Sequence, residues 1–158
     1  YNRAFAFDYL SQKLKEGARQ KITVAVMYID IDNFKSVNDN YGHDEGDQLL
    51  IYVANAIQYA VRQQDLVCRI GGDEFIVAIS GSVSESHIKS IANKLISALD
   101  KLTMSLTLNV DIAASIGIAM CNNGELTTSE LIRQADIAMY HTKHSGKHGV
   151  ATYDKSMG

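Results

Sequence analysis

No apolar run in this 158-residue chain approaches the roughly 20 residues needed to span a bilayer, and it contains no charged-then-apolar leader of the secretory kind. We therefore expect a domain that neither enters nor crosses a membrane. Basic residues are not in excess. The 15 Lys and Arg stand against 18 Asp and Glu, for a formal net charge of −3, which argues against a partner gripped through a nucleic-acid backbone, because such binders present a basic face. A pocket for a single nucleotide remains compatible with that charge. Cysteine is scarce: Cys68 and Cys121 stand apart in apolar, strand-like settings. They read as buried thiols of a cytoplasmic protein, so neither a disulfide nor a zinc site is expected. No coiled coil and no linker interrupts the chain. With 46% hydrophobic and 21% charged residues, residues 1–158 read as one globular domain with room for a real core.

What is present centres on Ile70-Gly71-Gly72-Asp73-Glu74-Phe75. On either side, Leu66, Cys68 and Ile70 alternate with Val67 and Arg69, and Phe75, Val77 and Ile79 alternate with Ile76 and Ala78. That is the period of a strand, twice over, with a hairpin turn between. Glycine suits such a turn through its tolerance of positive φ, and its missing Cβ lets a ligand approach the backbone. The plain alternative is a turn carrying solvated acids. A second acidic cluster bears on that choice. Residues 22–29 form a nearly continuous β-prone run, as in a central strand covered on both faces, and Asp30 and Asp32 follow directly. Unpaired buried carboxylates are costly, and a metal ion is one of the few partners that offsets them. If the two strands are neighbours, Asp30 and Asp73 converge, and carboxylates with a backbone carbonyl suit a hard cation such as Mg²⁺.

The rest alternates helix and strand. A helix over residues 3–16 places Phe7, Leu10 and Leu14 on one side and stops at Gly17; a strand over 21–30 follows. Residues 47–62 repeat apolar positions at helical spacing (Leu50, Val53, Ala54, Ile57, Val61), and the hairpin spans 65–80. Ser82 and Glu85 read as a capping box before a helix whose inner side is Ile88, Ile91, Ala92, Leu95, Leu99 and Leu102. A strand over 106–120 leads to a second box, Thr127 with Glu130, opening a helix with Leu131, Ala135 and Ala138 inward and Gly146 at its end. A short strand over 149–153 closes the chain. The order predicts an α/β fold, a central mixed sheet flanked by helices.

These residues resemble the diguanylate cyclase, or GGDEF, family over nearly the whole chain. Asp30-Ile31-Asp32-Asn33-Phe34-Lys35 through Asn38, Tyr41-Gly42-His43 and Gly46-Asp47 is similar to its first long motif. Arg69 to Phe75 matches its signature, Ser115-Ile116-Gly117 a later strand, and Ala135-Asp136 through Lys143 to Gly146-Lys147 its last helix. The resemblance implies a sheet similar to the polymerase palm and to class III nucleotide cyclases, and condensation of two GTP into cyclic di-GMP with release of two pyrophosphates. It also implies two Mg²⁺ (or Mn²⁺) per site on Asp30, the Ile31 carbonyl and Asp73, with Asp73 or Glu74 assisting deprotonation of the attacking hydroxyl. Glu74 has an alternative reading, as a structural partner for a lysine.

By the same resemblance, Asn38 and Asp47 take the guanine base. A carboxylate accepts from both N1–H and the N2 amine, and an amide can both give and accept. Asp47 can equally serve as an N-cap or first-turn acid of the helix it opens. The Phe34-Lys35 backbone, Lys35, Gly71, Gly72, Lys143 and Lys147 line the phosphates. The family often carries arginine at position 147, and lysine keeps the charge but loses the bidentate fork. His43 would orient its loop, and His141, His144 and His148 read as a solvated surface. Arg62 and Asp65 resemble the family's Arg-x-x-Asp inhibitory site for cyclic di-GMP; a charged pair at a helix end is the alternative.

One GTP per domain cannot react alone, so the resemblance implies a homodimer. Tyr1-Asn2-Arg3 resembles the middle of the family's opening motif, which implies a truncated N-terminal motif. Val150 to Met157 resembles the joint into an EAL phosphodiesterase domain, so sensor modules before and a hydrolase after are expected of a larger, possibly membrane-anchored parent. The rival reading is a GTP-binding module that regulates such a fused phosphodiesterase; a structural dimerisation domain would have no use for acids beside a Gly-Gly turn.

Overall fold

The computed structural model describes residues 2–81, 83–105, 112–122, 124–146 and 148–157, without the side chains of 102–105. Its centre is β1 (Thr23–Asp32), buried at every position but the first. The strand runs two residues past the expected end at 30, so Asp30 and Asp32 lie within the sheet. Neighbours on both sides extend it: β3 (Glu74–Gly81) pairs antiparallel as far as Asp30 with Glu74, and β4 (Ala113–Asn122) pairs antiparallel through to Asp32 with Ala113. β2 (Leu66–Arg69) pairs with β3, and β5 (Gly149–Thr152) runs parallel to β4, giving a mixed sheet in the order β2-β3-β1-β4-β5. Residues 106–111 of the expected fourth strand lie outside the described residues.

Period-two alternation sends the two faces of the sheet into separate cores. Met27, Ile29, Val67, Val77 and Ile116 pack with Val53 and Ile57 of α3 (His43–Ala60) and with Ile88, Leu95 and Leu99 of α4 (Glu85–Ser105). Val26, Tyr28, Cys68, Ile76 and Cys121 pack with Leu10 and Leu14 of α1 (Arg3–Gln20) and with Leu131, Ala135 and Met139 of α5 (Thr128–His144). Both cysteines are buried thiols outside any disulfide, as expected. Between β1 and α3 sits a further helix, α2 (Phe34–Tyr41), which hydrophobic spacing does not predict.

Local chemistry corrects several expected ends. Gly17 does not stop α1: it is buried inside the helix, where a Cβ would come within 3.1 Å of the Ile22 carbonyl, and Lys21 ends the helix at φ 55°. Ala6, not Phe7, joins Leu10 and Leu14 on the buried stripe, and Phe7 is exposed. The third helix begins four residues before 47, immediately after Gly42 at φ 91°, which alone separates it from α2. Ser82, and with it the expected box, lies outside the described residues; Ser84 accepts the His87 amide at 3.2 Å, and Glu85 pairs with Lys89. The Thr127 and Glu130 box forms in both directions, a device worth about 1 kcal/mol.

One close approach fixes where α5 sits over the sheet. A Cβ on Gly117 of β4 would run into the backbone of Ala135 and Met139. Backbone atoms cannot yield as a flexible side chain can, and overpacking of this kind costs about 1–3 kcal/mol. The absent side chain lets α5 lie low enough for its last turns to overlook the end of β1.

Candidate active site

The turn between β2 and β3 is held by its own arginine. Arg69 donates from Nε to the Gly71 carbonyl at 3.0 Å and from Nη2 to the Gly72 carbonyl at 2.8 Å, while the Ile70 amide donates to the Glu74 carbonyl at 3.0 Å. A second backbone bond, from the Ile31 amide to the Asp73 carbonyl at 3.0 Å, pins the turn to the end of β1. Neither glycine uses positive φ, so the expected reason for glycine does not apply here. What the missing Cβ atoms provide is room: one on Gly71 would lie 3.1 Å from Glu74 Oε1, and one on Gly72 would face open space.

Three carboxylates thereby share one edge. Asp30, 6% exposed, sits opposite Glu74 in the ladder, and the Ile31 bond brings Asp73 alongside. Burial, then the Asp30 charge, raises the Asp73 carboxyl above its ordinary range, although Lys143 draws it partly back. Glu74 is raised by burial and then by Asp30, Asp73 and Asp136. Lys143 of α5 donates to Asp30 Oδ2 at 2.7 Å, and that bond raises the lysine's own pKa. Among the described residues, the other Asp30 oxygen, Oδ1, is buried with no hydrogen-bond partner. A surplus of negative charge around an unpartnered carboxylate oxygen is a setting that a hard divalent cation fits. Among the described residues no three His, Cys, Asp or Glu side chains make a metal shell by themselves; the expected set is instead two carboxylates and the Ile31 carbonyl, as suits an ion that keeps water and phosphate ligands.

The base-binding candidates lie on α2 and α3. Asn33 at φ 64° turns the chain from β1 into α2, whose first residues are Phe34, packed against the core, and Lys35, exposed. The first amides of a helix lack intrahelical partners and suit phosphate oxygens. Asn38, on α2, is half-buried, and its Oδ1 is buried without a partner among the described residues, directly over Gly46, where a Cβ would collide with it. Asp47 follows Gly46 on the exposed side of α3, one turn after the equally exposed His43. Asp47 is neither an N-cap nor in the first turn, where Asp44 and Glu45 stand. Its capping role therefore falls away.

Other expected residues lie elsewhere or do other work. Lys147 lies outside the described residues. Asp65 accepts from Arg62 three times, from the backbone N at 2.8 Å, Nε at 3.3 Å and Nη2 at 3.0 Å, and Arg62 Nη2 also donates to the Ser80 carbonyl at 2.9 Å. Six residues along β3 from Glu74, that clamp is about 20 Å from the acids. Asp32 accepts from the Ser115 hydroxyl at 3.2 Å and from the His148 amide at 3.3 Å, so its burial is satisfied by protein. His148 is not a solvated residue: at φ 45° it accepts the Ala114 amide on Nδ1 at 3.2 Å and meets Asp100 with Nε2 at 2.6 Å. Among the described residues, Glu74 pairs with no lysine. The Tyr28 phenol lies beside it, and burial followed by the Glu74 charge raises that phenol.

Tyr28 and Asp136 also neighbour these acids; sequence reading gives neither a role, although Asp136 stands in the last-helix motif. Period two from Asp30 places Tyr28 on the same face, and seven residues back from Lys143, two helical turns, places Asp136. Asp136 is itself raised by burial and the Asp30 charge, and lowered by Arg3. A groove of about 980 Å³ between α3 and α4, lined by Tyr59, Lys89, Asn93 and Lys94, lies away from all of these acids.

Residues 1–149 match the family described as diguanylate cyclase, GGDEF domain. A bifunctional diguanylate cyclase/cyclic di-GMP phosphodiesterase of Pseudomonas aeruginosa, MucR, is 40% identical over 99% of this chain and 23% of its own length. The diguanylate cyclase TpbB of the same species is 35% identical over 92% of this chain and 34% of its own. The chain thus spans about a quarter to a third of these relatives. A structure comprising only the GGDEF domain of TpbB superposes with a TM-score of 0.90 at 32% identity, covering 99% of this chain and 91% of that one. The GGDEF domain of DgcB from Caulobacter crescentus, solved in complex with c-di-GMP, does so at 0.87 and 26% identity, covering 96% and 90%. The expected α/β sheet flanked by helices is therefore the fold these structures share.

A carboxyl whose pKa is raised by folding holds more protons in the folded chain between its unfolded and folded values, so stability falls as pH rises through that window. Asp73→Asn is accordingly expected to raise the thermal midpoint of the ligand-free protein at pH 7 in EDTA, with the gain disappearing below about pH 4, where the parent carboxyl is protonated in both states. A lower midpoint for the variant at pH 7 would show that the carboxylates do not repel one another.

Proposed function

We propose that this chain, which belongs to the GGDEF domain family of diguanylate cyclases, condenses two GTP molecules into cyclic di-GMP with release of two pyrophosphates, at the interface of two copies. The observation that carries the reading is the meeting of Asp30, Asp73 and Glu74 at one sheet edge, around a buried carboxylate oxygen without a partner. In each half-reaction the 3′-hydroxyl of one nucleotide attacks the α-phosphorus of the other. Catalysis then rests on positioning and on balancing charge.

Asp30, the Ile31 carbonyl and Asp73 would hold two Mg²⁺ or Mn²⁺ ions, which when bound neutralise phosphate charge and acidify a bound hydroxyl. Asp73 or Glu74 takes up the proton of the attacking hydroxyl. Both carboxylates have raised proton affinity, which suits a base working near neutral pH. Tyr28, whose phenol stands beside Glu74, would steady that carboxylate. Open space over Gly72 lets the triphosphate lie against the turn, with the α2 amides, Lys35, Lys143 and Lys147 answering its charge. Asn38 and Asp47 bind the guanine edge, and adenine would leave their polar groups unpaired, which is how a site rejects a base strongly.

Two copies must face one another with antiparallel substrates, so turnover by the isolated domain depends on enzyme concentration. Placement in the cytoplasm follows from a GTP substrate; among the described residues no helix is long and apolar enough to cross a membrane. Likeness to a bifunctional cyclase and phosphodiesterase also favours a second reading, a GTP-binding module that controls a fused EAL domain. Chromatography of GTP and Mg²⁺ reactions, with the chain tethered as a dimer, separates the two. Cyclic di-GMP should appear with the parent and disappear with Asp73→Ala; GTP binding without product supports the regulatory module instead.

Cyclic di-GMP inhibition at Arg62 and Asp65 would require the ligand to share a guanidinium already engaged with Asp65 and Ser80. Calorimetric titration of cyclic di-GMP is expected to show weaker binding to Arg62→Ala than to the parent, and equal binding removes the site.

A further inference from the structure

Lys143 occupies a place that a phosphate-binding lysine need not occupy. Its Nζ lies 2.7 Å from Asp30 Oδ2, with the aspartate side chain 8% and the lysine side chain 35% exposed. Asp32 and Asp73 add their charges to the attraction. We propose that Lys143 is the resident counter-cation of Asp30, that it opposes the entry of a lone divalent ion, and that it yields when the ion arrives on a triphosphate to which the lysine can transfer. The inference rests on the metal site proposed above.

The argument is one of charge and partners. A charge-assisted bond of this length is among the stronger hydrogen bonds a protein makes. A bare divalent ion reaching Asp30 must break it or sit beside it, placing a double positive charge against an ammonium that is left without its best acceptor. A triphosphate changes the balance, because its oxygens offer the ammonium a new partner while they bind the ion. Oδ1, buried and unpartnered, remains as the oxygen through which the ion can first engage. Metal and nucleotide are then coupled through one side chain, and coupling of this kind is reciprocal, ordinarily 5- to 150-fold.

The test is a titration of Mn²⁺ alone, followed by paramagnetic resonance of the free ion, into the nucleotide-free parent, Lys143→Met and Lys143→Arg, with circular dichroism confirming that each is folded. Lys143→Met should bind Mn²⁺ at least about 5-fold more tightly than the parent. Lys143→Arg, which keeps the positive charge, should stay close to the parent. With a non-hydrolysable GTP analogue present the order should reverse, the parent binding Mn²⁺ more tightly than Lys143→Met. Equal or weaker Mn²⁺ binding by Lys143→Met without nucleotide overturns the inference and leaves the metal site standing. Failure of all three proteins to bind Mn²⁺ even with the analogue overturns the site itself.

Discussion

The backbone hydrogen bond from the Ile31 amide to the Asp73 carbonyl joins two segments that strand pairing alone would leave side by side only as far as Asp30 and Glu74. It draws the tip of the β2–β3 hairpin onto the end of the central strand, so carboxylates more than forty positions apart in sequence share one small volume. The cost is visible in their proton affinities, since Asp73, Glu74 and Asp136 are all raised by burial and by one another's neighbour Asp30. Lys143 relieves part of that charge. With the lysine a third exposed, the pair contributes at the level of surface ion pairs, about 0–1 kcal/mol. Its larger effect is on which ions Asp30 will accept.

The scaffold explains how such a charge cluster is tolerated. β1 is paired antiparallel on both sides and buried on both faces, so its course is set by two apolar cores before its acids are reached. Gly117 lets α5 descend onto β4, which brings Lys143 and Asp136 over the acidic edge. Arg69 fixes the turn through its own carbonyls, leaving Gly72 open. Repulsion among the carboxylates is thus carried by the rigidity of the sheet.

Much of this was legible from residue order. Alternation around Gly71-Gly72 predicts the hairpin, whose buried apolar side chains divide between the two cores by that period, and Thr127 with Glu130 predicts the α5 start to the residue. Convergence of Asp30 and Asp73 follows from the acids at two strand ends only once β1 and β3 are known to be neighbours. Ends set by a single backbone angle are less legible: Lys21 and Asn33 adopt left-handed φ without being glycine, and Gly42 splits α2 from α3 where apolar spacing reads one later helix. Residues that act through tertiary partners are illegible in principle. Tyr28 reads as a strand core residue until Glu74 is beside it, and His148 reads as surface until Ala114 and Asp100 close on its ring.

A cation drawn to Asp30 and Asp73 together is the claim on which the assignment depends. Anomalous diffraction from crystals grown with Mn²⁺ and a GTP analogue that cannot transfer its α-phosphoryl group locates that ion directly. The account predicts a peak within coordination distance of both carboxylates and of the nucleotide phosphates. A nucleotide bound elsewhere, with no Mn²⁺ peak between Asp30 and Asp73, contradicts it.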